Sequence, residues 1–420
     1  MPDTGYRITE SEQTRLAVEN EALKKMLQLR KRQLNGVLEI TKAVNNNFSK
    51  DGILRLLEYI LRGQMKVRHM ALYLHEDDWV CAFPAEARDT LSADVVQELT
   101  KFKYIQRLAG WPGGDLRPYE LLIPVMHKDS PLGFLLIGDM EIDAYDSEED
   151  RIKFIQTITN IILVALENKR LFRRQIKQER LDKELELAGR VQSTLIPTEL
   201  PADERITVAA KYLPHGQIGG DYYDYIPVRD DKVAFCMCDV SGKGLSAGML
   251  MANFQAQLRM IASRRMGMEE TIRLLNQRLF ETTRGEKFIT MFLATYEFST
   301  RRLEYVSAGH EVPFLINDGT VHRLNEGTMI LGAFESLAAM EVGSMHLAPG
   351  AMLLTYTDGL SELADESGEL FGADRLEDLL RSHDDHSPHD VLDALTDAAD
   401  AYKGDADWTD DISILIARFH

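Results

Sequence analysis

Acidic residues placed beside glycine carry most of the chemistry legible in this 420-residue sequence. Residues 218–244 read IGGDYYDYIPVRDDKVAFCMCDVSGKG, with Asp221 after two glycines and Asp239 where the apolar run 233–238 stops. Two carboxylates about a hairpin apart, each at an element end, suit hard cations that take oxygen ligands. Without a cation such a cluster repels itself and its pKa values rise. Two acidic points far downstream strengthen the pattern: TYTDGLSE with Asp358, and DWTDDIS with Asp410 and Asp411.

The elements that must position these acids follow from local pattern. Residues 233–238 form a compact apolar strand, after which Gly242 and Gly244 release the backbone into a helix over 245–261. Cys236 and Cys238 alternate on that strand and so share a face, a geometry for burial that does not match the C-x-x-C spacing of redox or zinc motifs. His310 falls at a strand-to-turn junction and reads as structural. The tract SHDDHSPHD at 382–390 lies between helical segments and reads as a solvated loop with a helix cap.

The length calls for two or three domains. An apolar fraction of 45% and a charged fraction of 27% are those of a soluble globular protein. The net charge of -19 argues against a nucleic-acid partner. The imbalance lies after residue 180, where about 40 acids face about 21 bases. No apolar run is long enough to span a membrane, and the N-terminus MPDTGYRITESE has no signal-peptide core. Three cysteines, with Cys81 reading as core filling, point to a reduced, cytoplasmic setting.

Over 16–37 the spacing is heptad-like: Leu16, Leu23, Arg30 and Val37 share one position, and Asn20, Leu27 and Leu34 another. This helix either packs on its own domain or pairs with a second copy. Helical patterns near 37–46 and 52–65 precede the short strands HMALYLH, WVCAFP, LLIPVMH and LGFLLIGD, the last two joined by the turn KDSP. Trp79, Trp111 and the GWPGGD loop at 110–115 read as aromatic core and a glycine turn. This order, with its IPV…PLGFLLIG segment, resembles a GAF domain, a sensing module of signalling proteins. From Ser147 to Pro197 no proline interrupts a helical pattern, in which Ile158, Ile162, Ala165, Phe172 and Ile176 keep a seam that Leu181, Leu185, Ala188 and Leu195 continue. It reads as a signalling helix or coiled coil.

The end of that helix, ELELAGRVQSTLIPTELP, and the segments that follow resemble the SpoIIE/RsbU-like bacterial branch of metal-dependent Ser/Thr protein phosphatases. The similarity runs over about 185–420 through IGGDYYDY, CDVSGKGLSAGMLMA, YVSAGHEVPFLI, MILGAFE, LLTYTDGLSE and TDDISILIARF. It implies a binuclear site of Mn²⁺ or Mg²⁺ held by Asp221, Asp239 and the backbone carbonyl of Val240, completed by Asp358 and Asp410. A third ion at Asp358 is part of the same expectation. Asp411 stands where the wider family has Asn and falls behind the ligands, and Gly220 and Gly359 let the backbone approach the metals. Two cations about 3.5–4 Å apart neutralise phosphoryl oxygens and activate a water. The sequence departs from eukaryotic relatives in carrying Ser241 where they have His, and in lacking a phosphate-holding Arg counterpart near Lys211.

Rival readings fit less well. Gly219-Gly220-Asp221 is followed by Tyr222 and Tyr223, not by the Glu and Phe of a diguanylate cyclase. A P-loop would need glycine where Met237 stands. A catalytically inactive scaffold is the alternative of a different class, and the presence of all four proposed ligands counts against it.

The expected architecture is α/β multidomain: an N-terminal helix or coiled coil (1–37), a GAF-like sensor domain (38–170), a signalling helix linker (150–195) and an α-β-β-α sandwich phosphatase domain (196–420). The resemblance implies a cytoplasmic homodimer that dephosphorylates a phosphoserine or phosphothreonine protein, a STAS-domain anti-anti-sigma factor in a partner-switching pathway. A protein activator or small ligand would act at its N-terminal half.

Overall fold

The computed structural model describes residues 10–83, 91–111, 116–127, 130–142, 146–264, 266–406 and 408–420. The chain divides into two compact units, Met1–Gln178 and Glu179–His420.

The first unit opens with helix α1 (Glu10–Asn45). The sequence pattern predicted a heptad helix to residue 37 and a second helix after it. One unbroken helix covers both, because its last turns carry Ile40 and Ala43 into the core, where both are buried. Helix α2 (Lys50–Tyr59) starts at Ser49, whose hydroxyl accepts from the Gly52 amide at 3.1 Å, and ends in a π-turn over Ile60–Gln64. There follow β1 (Val67–His75), β2 (Trp79–Phe83), α3 (Ala93–Leu99), β3 (Gln106–Arg107), β4 (Leu121–His127), β5 (Ser130–Met140) and α4 (Glu148–Ser193).

The five strands form an antiparallel sheet in the order β2-β1-β5-β4-β3. The two-residue period of a strand divides β1 between two cores. Met70, Leu72 and Leu74 pack with Ile40, Leu57, Ile158 and Ile162 of the helices. Ala71 and Tyr73 point the other way, into a smaller cluster with Cys81, Trp79 and Trp111. Cys81 is thus core, and the tryptophans are packing residues. Residues 112–115 of the GWPGGD loop and 128–129 of the KDSP turn lie outside the described residues. Arg151, 2% exposed, fixes the start of α4 by pairing with Asp146 and donating to the Met65 carbonyl at 3.1 Å and the Glu141 carbonyl at 2.6 Å. α4 continues without a break past the boundary between the units.

The second unit contains β6 (Ile206–Leu213), β7 (Tyr222–Arg229), β8 (Lys232–Val240), α5 (Leu245–Ala262), α6 (Met268–Thr283), β9 (Ile289–Glu297), β10 (Arg302–Ala308), β11 (Phe314–Asn317), β12 (Thr320–Arg323), β13 (Gly327–Thr328), β14 (Gly343–His346), β15 (Met352–Tyr356), α7 (Asp358–Ser361), α8 (Gly372–Ser382), α9 (Pro388–Lys403) and β16 (Ile412–Phe419). Two sheets result. One has the order β13-β10-β9-β8-β7, with β14 paired to β10; the other is β12-β11-β15-β16-β6.

Strand alternation again assigns the layers. Leu315, Leu353, Leu415 and Ala417 face the first sheet, in a core that also takes Met251, Leu258 and Leu275 from α5 and α6. Their neighbours Ile316, Leu354, Ile414 and Ile416 face α8 and α9 with Leu376, Leu380 and Leu395. The order is helices, sheet, sheet, helices, with Phe419 packing its ring on Phe235 and Tyr296 between the sheets. Cys236 and Cys238 are both fully buried and unpaired in this core. The 382–390 tract is a helix cap as expected: Ser387 and Asp390 form a capping box with Pro388 at the first turn of α9. Among the described residues no helix is long and apolar enough to cross a membrane.

Candidate functional site

The acids picked out by sequence sit at the matching ends of two antiparallel strand pairs, one from each sheet. In the first sheet, Asp221 immediately precedes β7 and Asp239 lies one residue from the end of β8, where Tyr222 pairs with Cys238. In the second, β15 ends at Tyr356 just before Asp358, and Asp410 and Asp411 immediately precede β16, with Tyr356 opposite Ile414. Residues up to 190 positions apart therefore meet because both sheets present one end to the same place.

Their proximity is visible in their electrostatics. Asp221 is 1% exposed, and its pKa is raised well above the usual carboxylate value by burial and then by the charge of Asp239. Asp239 is pushed up to about 7, first by burial and then by the charges of Asp358, Asp410 and Asp411. Asp358 is raised by burial, then by Glu362 and Asp410. Like charges in a desolvated pocket disfavour each other's ionised forms.

Local hydrogen bonds decide what each acid is free to do. The Thr357 hydroxyl, fully buried, donates to Asp221 Oδ2 at 2.7 Å and accepts from the Ser413 amide at 2.9 Å, so it ties an acid of one sheet to a strand start of the other. Asp411 is engaged by backbone at both oxygens: Oδ1 accepts from His215 N at 2.8 Å and Oδ2 from Gly220 N at 2.6 Å. It holds the Gly-Gly-Asp loop in place. Asp410 is paired with Lys243, Nζ to Oδ2 at 2.8 Å, and Lys243 also donates to the Thr409 carbonyl at 3.0 Å. The two glycines are there for space. A Cβ on Gly220 would stand 3.0 Å from the Val240 carbonyl oxygen and 3.5 Å from Asp239 Oδ1, and one on Gly359 would overlap the Asp411 carbonyl.

The end of α4 joins this site. Gln192 Nε2 donates to the Gly219 carbonyl at 2.6 Å, and its Oε1 accepts from Gly219 N at 3.2 Å. A side-chain amide thus clamps the backbone two residues before Asp221. His310, 8% exposed, pairs through Nδ1 with the Thr290 hydroxyl at 2.9 Å, and burial lowers its pKa to about 4. It is a neutral packing residue, as its junction position suggested. Ser241 is also structural, its hydroxyl accepting from Phe288 N at 2.9 Å.

Sequence reasoning missed Gln192, Thr357, Lys243 and the Asp224–Arg259 pair, in which Arg259 donates to both carboxylate oxygens of buried Asp224 at 2.7 and 2.9 Å. Thr357 and Lys243 are each within a few residues of a chosen acid. Arg259 has no local signal.

A divalent cation fits the donor set. The available groups are carboxylates and a carbonyl, all oxygen, and the burial and mutual repulsion that raise three of the carboxyl pKa values are what a cation offsets. Among the described residues no three side chains form a closed cage around one point. Asp410 faces Lys243 instead.

Comparison with known proteins agrees with this geometry. The family model described as Stage II sporulation protein E (SpoIIE) matches residues 229–420. Phosphoserine phosphatase RsbU of Bacillus subtilis is 27% identical over 243 residues, covering 57% of this chain and 71% of that protein. Phosphoserine phosphatase RsbP of the same organism is 27% identical over 218 residues, covering 51% of this chain and 52% of that one. The chain thus spans about half the length of RsbP. The solved SiaA-PP2C domain of Pseudomonas aeruginosa superposes with a TM-score of 0.51 at 22% identity, over 58% of this chain and 99% of that one, and shows the same fold. The two sheets and their helices have the fold of that PP2C domain. Residues 229–420 thus match the SpoIIE family model, and this part of the chain is similar to the phosphoserine phosphatases RsbU and RsbP.

The raised Asp239 pKa gives a stability test on the metal-free protein. Its folded value of about 7 lies above the unfolded value of about 3.9, so the fold holds that proton more tightly and loses stability as pH rises through that window. Asp239→Asn is expected to raise the metal-free melting temperature by several degrees at about pH 8, and to change it little at or below about pH 4. Calorimetry of chelator-treated protein measures both, and an unchanged or lower value at the higher pH contradicts the electrostatic picture.

Proposed function

We propose that the protein is a metal-dependent serine/threonine phosphatase acting on a phosphoprotein, with two or three Mn²⁺ or Mg²⁺ ions held by Asp221, Asp239, Asp358, Asp410 and the Val240 carbonyl. The supporting observation is the convergence of mutually repelling, desolvated carboxylates from both sheets at one place. When bound, the cations neutralise phosphoryl oxygens and make a water nucleophilic at neutral pH. Asp411 and Thr357 hold the acid-bearing loops. Lys243, which meets Asp410 here, would turn to a phosphoryl oxygen once that carboxylate has another cation, in the role of the missing Arg. Asp358 serves a third, looser ion.

RsbU and RsbP carry the name phosphoserine phosphatase, which favours a phosphoserine or phosphothreonine protein as substrate here. The family resemblance favours a STAS-domain anti-anti-sigma factor of a cytoplasmic partner-switching pathway. The antiparallel sheet and two-sided core of the first unit support a GAF-like sensor, regulated by a protein activator or a small ligand. Leu16, Leu23, Leu27 and Leu34 are between 47% and 72% exposed on α1, so the heptad seam is open to a second copy in a parallel coiled-coil homodimer. Regulation would pass along α4 to Gln192 and the loop it clamps. The alternative is a catalytically inactive scaffold binding the same partner.

Hydrolysis of an aryl phosphate by the purified full chain separates these readings. Mn²⁺-dependent turnover is expected, with losses of about 100-fold or more in Asp239→Asn and Asp358→Asn. Turnover indifferent to both substitutions contradicts the ligand assignment, and wild-type silence favours the scaffold. Inserting two residues into α4 near Gln178, which rotates its C-terminal end by about 200°, is expected to change turnover several-fold. Unaltered basal and stimulated rates would refute transmission through the helix.

A further inference from the structure

The first unit contains a cavity of about 370 Å³ that the phosphatase reading does not use. Its floor is aliphatic: Leu74 at the end of β1, Leu132 at the start of β5, and Leu163 and Leu166 of α4. Its rim is cationic, with Lys50 on α2 and Lys169, Arg170, Arg173, Arg174 and Lys177 along α4. Only two carboxylates, Glu76 and Glu167, line it against those six cations. This occurs in a chain of net charge -19.

The cations are not arranged for mutual comfort. Lys169, Arg173 and Lys177 succeed each other at four-residue spacing, as do Arg170 and Arg174, and like charges so placed on a helix repel. Part of that repulsion is answered. Asp77 accepts from Arg170 and Arg174, both at 3.0 Å, Lys50 pairs with Glu76, and Lys169 donates to the Asn47 and Phe48 carbonyls at 3.2 and 2.7 Å. Arg173 and Lys177 have no ion pair or hydrogen bond among the described residues. A leucine floor alone would serve any apolar body and a cationic rim alone any anion. The two together, in a concave space at the small end of ligand pockets, select a molecule with both parts.

We infer that this cleft binds a small amphiphilic anion, with its carboxylate or phosphate head between Arg173 and Lys177 and its aliphatic body on Leu74, Leu132, Leu163 and Leu166. All of its walls come from residues before Gln178, so the site stands or falls independently of the metal ligands. Because α4 supplies most of the rim, an occupant would bear directly on that helix.

The test uses purified full-length protein and isothermal titration calorimetry with sodium decanoate and octyl phosphate, each kept below its critical micelle concentration. Saturable binding of at least one is expected, with inorganic phosphate and octanol each weaker by about tenfold or more. The double variant Arg173→Glu/Lys177→Glu, both on the exposed rim, is expected to keep its melting temperature and lose affinity by about tenfold or more. The proposal is overturned if neither amphiphile binds, if inorganic phosphate binds as well as octyl phosphate, or if the double variant binds like wild type. Binding to phosphatidylglycerol vesicles without binding of either monomer would also overturn it, by making the rim a membrane contact.

Discussion

Mutual repulsion among carboxylates dominates the second unit. Asp221 is almost fully buried, and the Asp239 pKa is pushed up to about 7, first by burial and then by the charges of three other acids. An acid cluster of this kind costs stability in the empty protein and persists only if surrounding structure over-determines it. That surrounding structure is identifiable: Phe419 and its neighbours between the sheets, the Thr357 bridge from Asp221 to Ser413, and the two backbone amides on Asp411. The sandwich fold brings one end of each sheet to a single point, and the polar clamps hold the loops there against their own charge.

The same constraint explains the division of labour among residues of one type. Asp411 accepts two short backbone hydrogen bonds and is committed to the loop at Gly220. Asp410, one residue away, reaches the cation Lys243. The adjacent carboxylates differ in their partners: Asp411 spans two amides of the 215–220 loop, whereas Asp410 accepts from the Asp411 amide, at 2.9 Å, and meets Lys243 with its other oxygen. Gln192 adds a third kind of contact, a paired amide–backbone clamp that gives the end of α4 a direct hold on the loop ahead of Asp221.

Much of this is legible in the sequence. The acids beside glycine, the apolar strand ending at Asp239 and the helix after Gly244 are local patterns, and β8 and α5 fall where period and glycine placed them. The cap in the 382–390 tract and the burial of Cys236 and Cys238 follow from equally short-range rules. The break expected near residue 37 is absent, since tertiary packing of Ile40 and Ala43 extends one helix through it. The Asp224–Arg259 pair, the Gln192 clamp and the Lys243–Asp410 pair were not legible. Each joins residues that are neighbours only once the sheets are formed, and a polar residue on a helix carries no mark of its distant partner. The basic cleft was invisible for a similar reason: α4 shows its cations in sequence, but the leucine floor comes from three separate elements.

The central claim is that these acids exist to hold divalent cations, and direct counting of bound metal tests it without reference to any substrate. Mn²⁺ titrated into the metal-free full chain can be followed by the electron paramagnetic resonance signal of the free ion. The account predicts about two tightly held ions per chain, falling to one or none in Asp239→Asn, with affinity rising as pH passes through about 7. A wild-type chain that takes up no Mn²⁺, or a variant that binds the same number as tightly, would contradict it.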